Sequence, residues 1–350
     1  MIRSLLIVEK FYELYPNVKI ILSTGIDRRT IQRFLRIPFQ YRKQSFEPGT
    51  IQKNCFEVDS EATRKVYLKY SKTRKQMLHE EIFFLRDAKC RGLVSDIPSI
   101  PIRAAADLGI QAVGVSNFTW DWILSPIFAG SPLTRICDQM FQDYASGNLH
   151  IQLPLGTDAS PFPVCEKAPI VARTAKLGSK KVQKMLGISK LGSRKLILVC
   201  PGGWDTDNWK KIELKDCKAF QFIFVGDLPI EVEAPHLHLP HRLMNGLTFP
   251  DLVNAADLVV AKPGYGIASE CLVHGTPLLA IERPDFRETP LLIDQFKALA
   301  PCSEMSLKEF FHGQWRSGIE EALLNRTSWK KMPKCGAEIV AEKLVRAFSM

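Results

Sequence analysis

Asp257-Leu-Val-Val-Ala-Lys-Pro-Gly-Tyr-Gly-Ile-Ala-Ser-Glu270 is the stretch on which the fold reading turns. It opens with a short apolar run, Asp257 to Val260, of the kind that forms a buried parallel strand. A turn holding Gly264 and Gly266 follows, and then a helix over Ile267 to His274. Glycines let a backbone come close to a ligand, and the start of a helix presents N–H groups to an anion, so a diphosphate is a suitable occupant. Glu270 lies one turn into that helix, where its carboxylate can accept hydrogen bonds from vicinal ribose hydroxyls. A tight strand-to-helix turn with a surface acid is the plainer explanation of the same residues. The spacing then adds Gly275-Thr276-Pro277, an apolar strand Leu278 to Ile281 and a polar loop from Arg283 to Pro290.

Working outward, strand and helix periods alternate on both sides of this stretch, the signature of an α/β chain. Before it, Lys195 to Cys200 and Phe220 to Val225 read as parallel-sheet strands, and helices are expected at Pro250 to Ala255 and Pro290 to Leu299. Cys200-Pro201-Gly202-Gly203 gives the first of these strands a glycine turn of its own. Prolines and glycines between Pro154 and Pro169 interrupt the rhythm, which puts a domain boundary near residue 165. Ahead of it lie helices at Arg3 to Tyr15, Asp27 to Leu35, Glu61 to Lys89 and Ile100 to Leu108. Strands are expected there at Val18 to Leu22, Gly92 to Ser95, Gln111 to Val115 and, as the last of this half, Leu149 to Leu153. The domains read as 1–165, 166–332 and a tail 333–350 whose amphipathic helix, Glu338 to Phe348, is expected to pack back on the first. A doubly wound domain normally opens with a strand and a glycine-rich turn. This sequence opens inside a helix, so the first domain is expected to lack that strand and turn.

The composition is that of an ordinary globular chain: 350 residues, 46% apolar and 24% charged. No apolar run is long enough to span a bilayer. Glu9 and Lys10 stop Leu5 to Val8 before a secretory signal can form. Nine scattered cysteines without metal-ligand spacing read as reduced thiols, which points to the cytoplasm and to no structural metal. The net charge of +10 is spread over both halves but clusters locally, as in Arg28, Arg29, Arg33, Arg36, Arg42 and Lys43. No nucleic-acid-binding pattern accompanies it. A solvated basic surface explains such clusters, and peripheral contact with anionic membrane headgroups is compatible with them.

The arrangement from Gly264 through Glu288 resembles the donor-binding motif of nucleotide-sugar glycosyltransferases of the GT-B architecture, which is α/β with two facing Rossmann-like domains and a cleft between them. Gly202 and Gly203, in chain order, resemble the further glycine turn of the MurG-like (family 28) type. Lys262-Pro-Gly-Tyr-Gly-Ile-Ala-Ser-Glu270 with Phe286-Arg-Glu288-Thr-Pro290 is similar to the glycosyltransferase-like N-terminal module of plant arabinokinases and bacterial relatives. So are Ile102 to Ile110 and Val115 to Asp121. The kinase part of those proteins, with its phosphate loop, is absent from this sequence. The resemblance implies that Gly202, Gly203, Gly264, Tyr265 and Gly266 meet the donor diphosphate, that Glu270 holds the ribose and that Glu288 holds the sugar. It implies a UDP-sugar donor used as substrate, no separate cofactor, and transfer with inversion to an acceptor the sequence does not specify. A non-catalytic sugar-nucleotide-binding or regulatory module is the alternative, favoured by the missing strand and turn. Inverting transfer needs a base for the acceptor hydroxyl. Asp96, after the strand ending at Ser95, and Asp121, between Trp120 and Trp122, are the candidates, with helix capping or surface placement as the plain reading of each. Phe118 and Trp120 can stack on a sugar face or fill a core. His236, His238 and His241 alternate with leucines, which reads as a short strand rather than a metal site.

Overall fold

The computed structural model describes residues 1–188, 192–202, 214, 217–228, 235–240, 246–325, 327 and 329–348. Gly203 and His241 lie outside the described residues. The chain divides into two compact units: residues 1–51, 59–171 and 335–350 form the first, and 52–58 with 172–334 the second.

The first unit begins with α1 (Ile2–Leu14), β1 (Ile21–Thr24), α2 (Arg28–Gln32) and β2 (Gln40–Lys43). Asp27 caps α2 by accepting from the Arg29 amide. β1 and β2 pair in parallel as a sheet of two strands. Leu5, Ile31 and Leu35 close a small core over them, joined by Val8, Leu22 and Ile26. α3 (Ser60–Asp87) follows, started by the Asp59 side chain. Its buried Glu81 pairs with Arg42 of β2 at 2.5 Å. β3 (Gly92–Ser95), α4 (Ser99–Asp107), β4 (Gln111–Ser116), α5 (Trp120–Phe128), α6 (Thr134–Ala145), β5 (Leu149–Gln152) and β6 (Cys165–Lys167) complete this stretch. β3-β4-β5-β6 is a second, separate parallel sheet. β4 and β5 are buried, whereas β3 is half-exposed, with Val94 at 43%. Two expectations need correction. The first strand starts at Ile21 rather than Val18, and Leu149–Gln152 is not the last strand of this half. β6 is short and wholly exposed, so it leaves no apolar run to read.

The second unit holds α7 (Ser179–Met185), β7 (Lys195–Cys200), β8 (Phe220–Val225), β9 (Leu237–Leu239), α8 (Phe249–Ala255), β10 (Leu258–Ala261), α9 (Tyr265–His274) and β11 (Leu278–Ile281). α10 (Glu288–Lys297), β12 (Cys302–Met305), α11 (Leu307–Phe311) and α12 (Arg316–Leu324) follow. Its six parallel strands form one sheet in the order β12-β11-β10-β7-β8-β9. β7, β8, β10 and β11 are buried on both faces, which is why they read as continuous apolar runs. Trp315 is fully buried, stacks on Phe310 at 5.1 Å and donates from Nε1 to the Phe310 carbonyl at 2.8 Å. The segment Gln52–Val58, closed by an antiparallel bridge between its end residues, belongs to this core. Its Phe56 is 1% exposed and lies 5.4 Å from Phe310, a burial that stabilises by about 1.5–3 kcal/mol.

After the second unit the chain returns to the first with α13 (Gly336–Ala347), which packs along α1. Phe11 and Phe348 meet edge-on at 6.1 Å, and the Phe348 ring sits where a side chain on Gly92 would have to go. No helix of the described residues is long and apolar enough to cross a membrane.

Candidate functional site

In the second unit the chain runs from β7 through β8 to β9 at one edge. It then returns to place β10 on the other side of β7 and proceeds through β11 to β12. The strand order therefore reverses between β7 and β10, and the carboxyl ends at such a switch point form the usual ligand crevice of an open α/β sheet. Gly202 follows β7 with φ +105°, a conformation only glycine holds without strain. A side chain there would reach to 3.4 Å of the Lys262 Nζ, so Lys262, at the end of β10, lies across the mouth of the β7 turn. Gly264 is the N-cap of α9 and offers no side-chain cap. A Cβ at Gly264 or Gly266 would meet nothing within 4 Å. The first-turn N–H groups of α9 begin at Tyr265, and the helix itself supplies no partners to such groups. The Tyr265 side chain itself is buried.

Glu270 sits a turn and a half into α9 and is 3% exposed. Its Oε1 accepts from Arg173 Nε at 2.6 Å, while Oε2 is buried with no hydrogen-bond partner among the described residues. Burial raises the carboxyl above its ordinary range, and the Arg173 charge opposes that rise. Arg173 is held in place by the segment that carries it. The Ala175 amide donates to His274 Nε2 at 2.8 Å, and the Lys176 and Leu177 amides donate to Asp251 Oδ1 at 2.7 and 2.8 Å. The Glu270 charge is felt by the Cys200 thiol at the end of β7, which puts the carboxylate beside the switch point.

Arg283 follows β11. It is 9% exposed, donates from Nη2 to Gln52 Oε1 at 2.8 Å and lies over the Phe286 ring at 3.9 Å, while its Nε has no hydrogen-bond partner among the described residues. Glu288 opens α10, is buried, and is the carboxylate whose charge acts on Arg283. Gly202, Gly264, Tyr265, Gly266, Glu270 and Glu288 thus all lie at or beside the carboxyl ends of β7, β10 and β11. Arg173, Arg283 and Gln52 were not assigned roles from the sequence. An arginine in the β11 turn was visible there, but Gln52 and Arg173 are far away in the chain and gave no signal.

The first unit has its own strand-end cluster. Asp96, after β3, accepts from Arg3 at 2.5 and 3.0 Å and from the Ser4 hydroxyl at 2.5 Å. Arg3 also donates to Asn117 at 2.7 Å, beyond β4. Burial would raise the Asp96 carboxyl, but Arg3, the N-terminal amine and Ser4 bring it down to about 2. A carboxylate held that low and bonded on both oxygens is a poor proton acceptor, and these bonds tie Asp96 to α1. Asp121 sits in the first turn of α5, its Oδ1 buried. Phe118 and Trp120 meet edge-on at 5.5 Å, and Trp120 packs against Gly49. His236 Nδ1 accepts from the Phe222 amide and His238 Nε2 bonds the Gly226 carbonyl, so His236 lies just before β9 and His238 within it.

The six-stranded switch-point sheet, with parallel βα units in both halves of the chain, defines a Rossmann-like α/β protein of the GT-B glycosyltransferase fold. The glycotransferase of kitacinnamycin superposes over 99% of this chain and 95% of its own, with TM-score 0.63 and 12% identity. A UDP-glucosyltransferase from Polygonum tinctorium, capable of glucosylating indoxyl, superposes over 99% of this chain and 96% of its own, with TM-score 0.58 and 12% identity. In sequence the chain is similar to L-arabinokinase of Arabidopsis thaliana, 28% identical over 288 residues, which is 81% of this chain and 27% of that protein. The chain thus spans about a quarter of the curated relative it matches. No protein-family model matches the sequence.

Proposed function

We propose that the chain is a nucleotide-sugar-dependent glycosyltransferase of the inverting, MurG-like type, which takes a UDP-sugar at the β7/β10 switch point. The observation that carries this reading is the Glu270 carboxylate. One oxygen is fixed by Arg173, and the other is buried with no hydrogen-bond partner among the described residues, beside the N-terminus of α9. An unpaired buried oxygen costs about 1–3 kcal/mol, which a ribose hydroxyl would recover while the α9 amides take the diphosphate. Glu288, on the next loop, is the group for the sugar. The solved relative that uses a UDP-sugar supports the choice of uridine diphosphate.

One observation favours a second reading, a non-catalytic sugar-nucleotide-binding module. The strand-end acid of the first unit, Asp96, is fully engaged by Arg3 and Ser4. Asp121 is then the remaining candidate base. Titration with UDP and with UDP-sugars, followed by assay for donor hydrolysis or transfer to a hydroxyl acceptor, separates the two. Turnover abolished by Asp121→Asn supports the enzyme, binding without turnover supports the module, and no affinity for any UDP species refutes both.

A further inference from the structure

His274 is the last residue of α9, about one turn beyond Glu270, and is half-buried. Its two ring nitrogens are bonded in opposite senses. Nδ1 lies 2.7 Å from the Glu270 carbonyl oxygen, which can only accept, so Nδ1 carries the hydrogen. Nε2 accepts from the Ala175 amide at 2.8 Å and is therefore bare. The two bonds admit one tautomer of a neutral imidazole, and a second proton would set Nε2–H against the Ala175 N–H.

The Ala175 bond begins a run of three. Asp251 Oδ1 takes the Lys176 and Leu177 amides, and Asn254 Nδ2 donates to the Leu177 carbonyl at 3.2 Å. Residues 172–178 form no helix or strand, so the segment has no ladder of its own and these bonds set its course. Arg173, two residues before Ala175, lies over the Phe249 ring at 5.9 Å and bonds Glu270. Of the two titratable anchors, Asp251 stays charged: burial would raise its carboxyl, but the Thr248, Leu177 and Lys176 bonds bring it below its ordinary range. The His274 imidazole is lowered by burial and by Lys334, against the Glu270 carbonyl and Asp251. The Arg173–Glu270 pair is the remaining charge beside it. The ring is thus neutral at about pH 7 and gains its proton in acid.

We propose that His274 is the positioning residue of the Glu270 site. As a neutral imidazole it holds the Arg173–Leu177 segment, so that Arg173 fixes one Glu270 oxygen and leaves the other for a ligand; as an imidazolium it lets the segment go. This rests on Glu270 being a group for the nucleotide, and the experiment reads the two ideas separately. UDP is titrated calorimetrically against the full chain, His274→Ala and His274→Gln between about pH 8 and about pH 5, with hydrogen exchange at Ala175 followed without UDP. Gln offers a carbonyl oxygen in place of Nε2 and has no proton to gain. Glu270 and the UDP phosphates are common to all three chains, so the chains are compared at each pH.

At about pH 8, His274→Ala binds UDP about tenfold more weakly, the worth of one hydrogen bond to a charged group, and exchanges Ala175 faster. His274→Gln stays within about threefold of the unaltered chain. Towards about pH 5 the unaltered chain loses at least about threefold in UDP affinity relative to His274→Gln. Added to Arg173→Ala, His274→Ala brings no further loss, because one residue acts through the other. Full UDP affinity in His274→Ala, an acid loss in His274→Gln equal to that of the unaltered chain, or a loss that adds to that of Arg173→Ala overturns the proposal. If UDP binds none of the chains, Glu270 is not a nucleotide group and Ala175 decides the rest. Exchange that is faster in His274→Ala and restored in His274→Gln upholds the positioning role, and equal exchange in all three overturns it.

Discussion

Each unit carries an acid close to the carboxyl ends of its parallel strands, half-buried in the first unit and buried in the second, and the two are treated in opposite ways. Asp96 has both oxygens bonded, by Arg3 and Ser4, and its carboxyl lies near 2. Glu270 has one oxygen bonded, by Arg173, and the other without a partner among the described residues, and its carboxyl is raised. The surrounding sheets differ in the same sense. The first unit divides its strands between β1-β2 and β3-β4-β5-β6, while the second runs six in one sheet. A polar network that is satisfied throughout holds structure together, and one left half-satisfied on a continuous rigid sheet has capacity for a ligand. In the first unit the acid bonds α1 to the turn after β3; in the second it bonds Arg173.

The largest effect that tests this contrast is on stability. Asp96→Ala removes the Asp96 partner of the half-buried Arg3 guanidinium and is expected to destabilise the first unit by about 3–5 kcal/mol, read in denaturant unfolding. Its affinity for UDP should be that of the unaltered chain. A variant that unfolds normally but loses UDP would exchange the roles of the two acids. Next, Glu270→Ala should weaken UDP by about 1.5–3 kcal/mol, the range of a hydrogen bond to a charged group, while unfolding midpoints change less than in Asp96→Ala. Unaltered UDP affinity would remove Glu270 from the ribose.

The pH dependence gives the smallest expected change. The Asp96 carboxyl is lowered from 3.8 to about 2 in the fold, so its contribution is complete above pH 4 and disappears as pH falls through 2. That amounts to about 2 kcal/mol. Glu270, raised by burial, works in the other direction: its ionisation opposes folding as pH rises through and above the ordinary glutamate range. Unfolding followed from pH 5 to pH 2 should therefore show Asp96→Asn less acid-sensitive than the unaltered chain. Equal sensitivity would mean that Arg3 does not hold the carboxyl down.

Much of the second unit was legible because strands buried on both faces are written as unbroken apolar runs. β7, β8 and β11 have the bounds read from the sequence, and α9 needed only the Gly264 turn to locate it. β6 and β12 were missed for the converse reason, since Cys-Glu-Lys and Cys-Ser-Glu-Met carry too little apolar signal. Of the site, the glycines and Glu270 could be read because they are local to one strand-turn-helix. Gln52 and Arg173 join it through hydrogen bonds spanning 231 and 97 residues, which no local pattern encodes. The engagement of Asp96 was hidden for the same reason: its partners lie more than 90 positions away at the start of the chain.

Hydrogen exchange of the full chain with and without UDP tests the central claim, that the β7/β10 switch point is a nucleotide site, most directly. Slower exchange is predicted at Gly202, Lys262 and the first turn and a half of α9 through Glu270, with β3, β4 and α1 unchanged. Protection absent from the β10–α9 turn, or appearing only in the first unit, would contradict it.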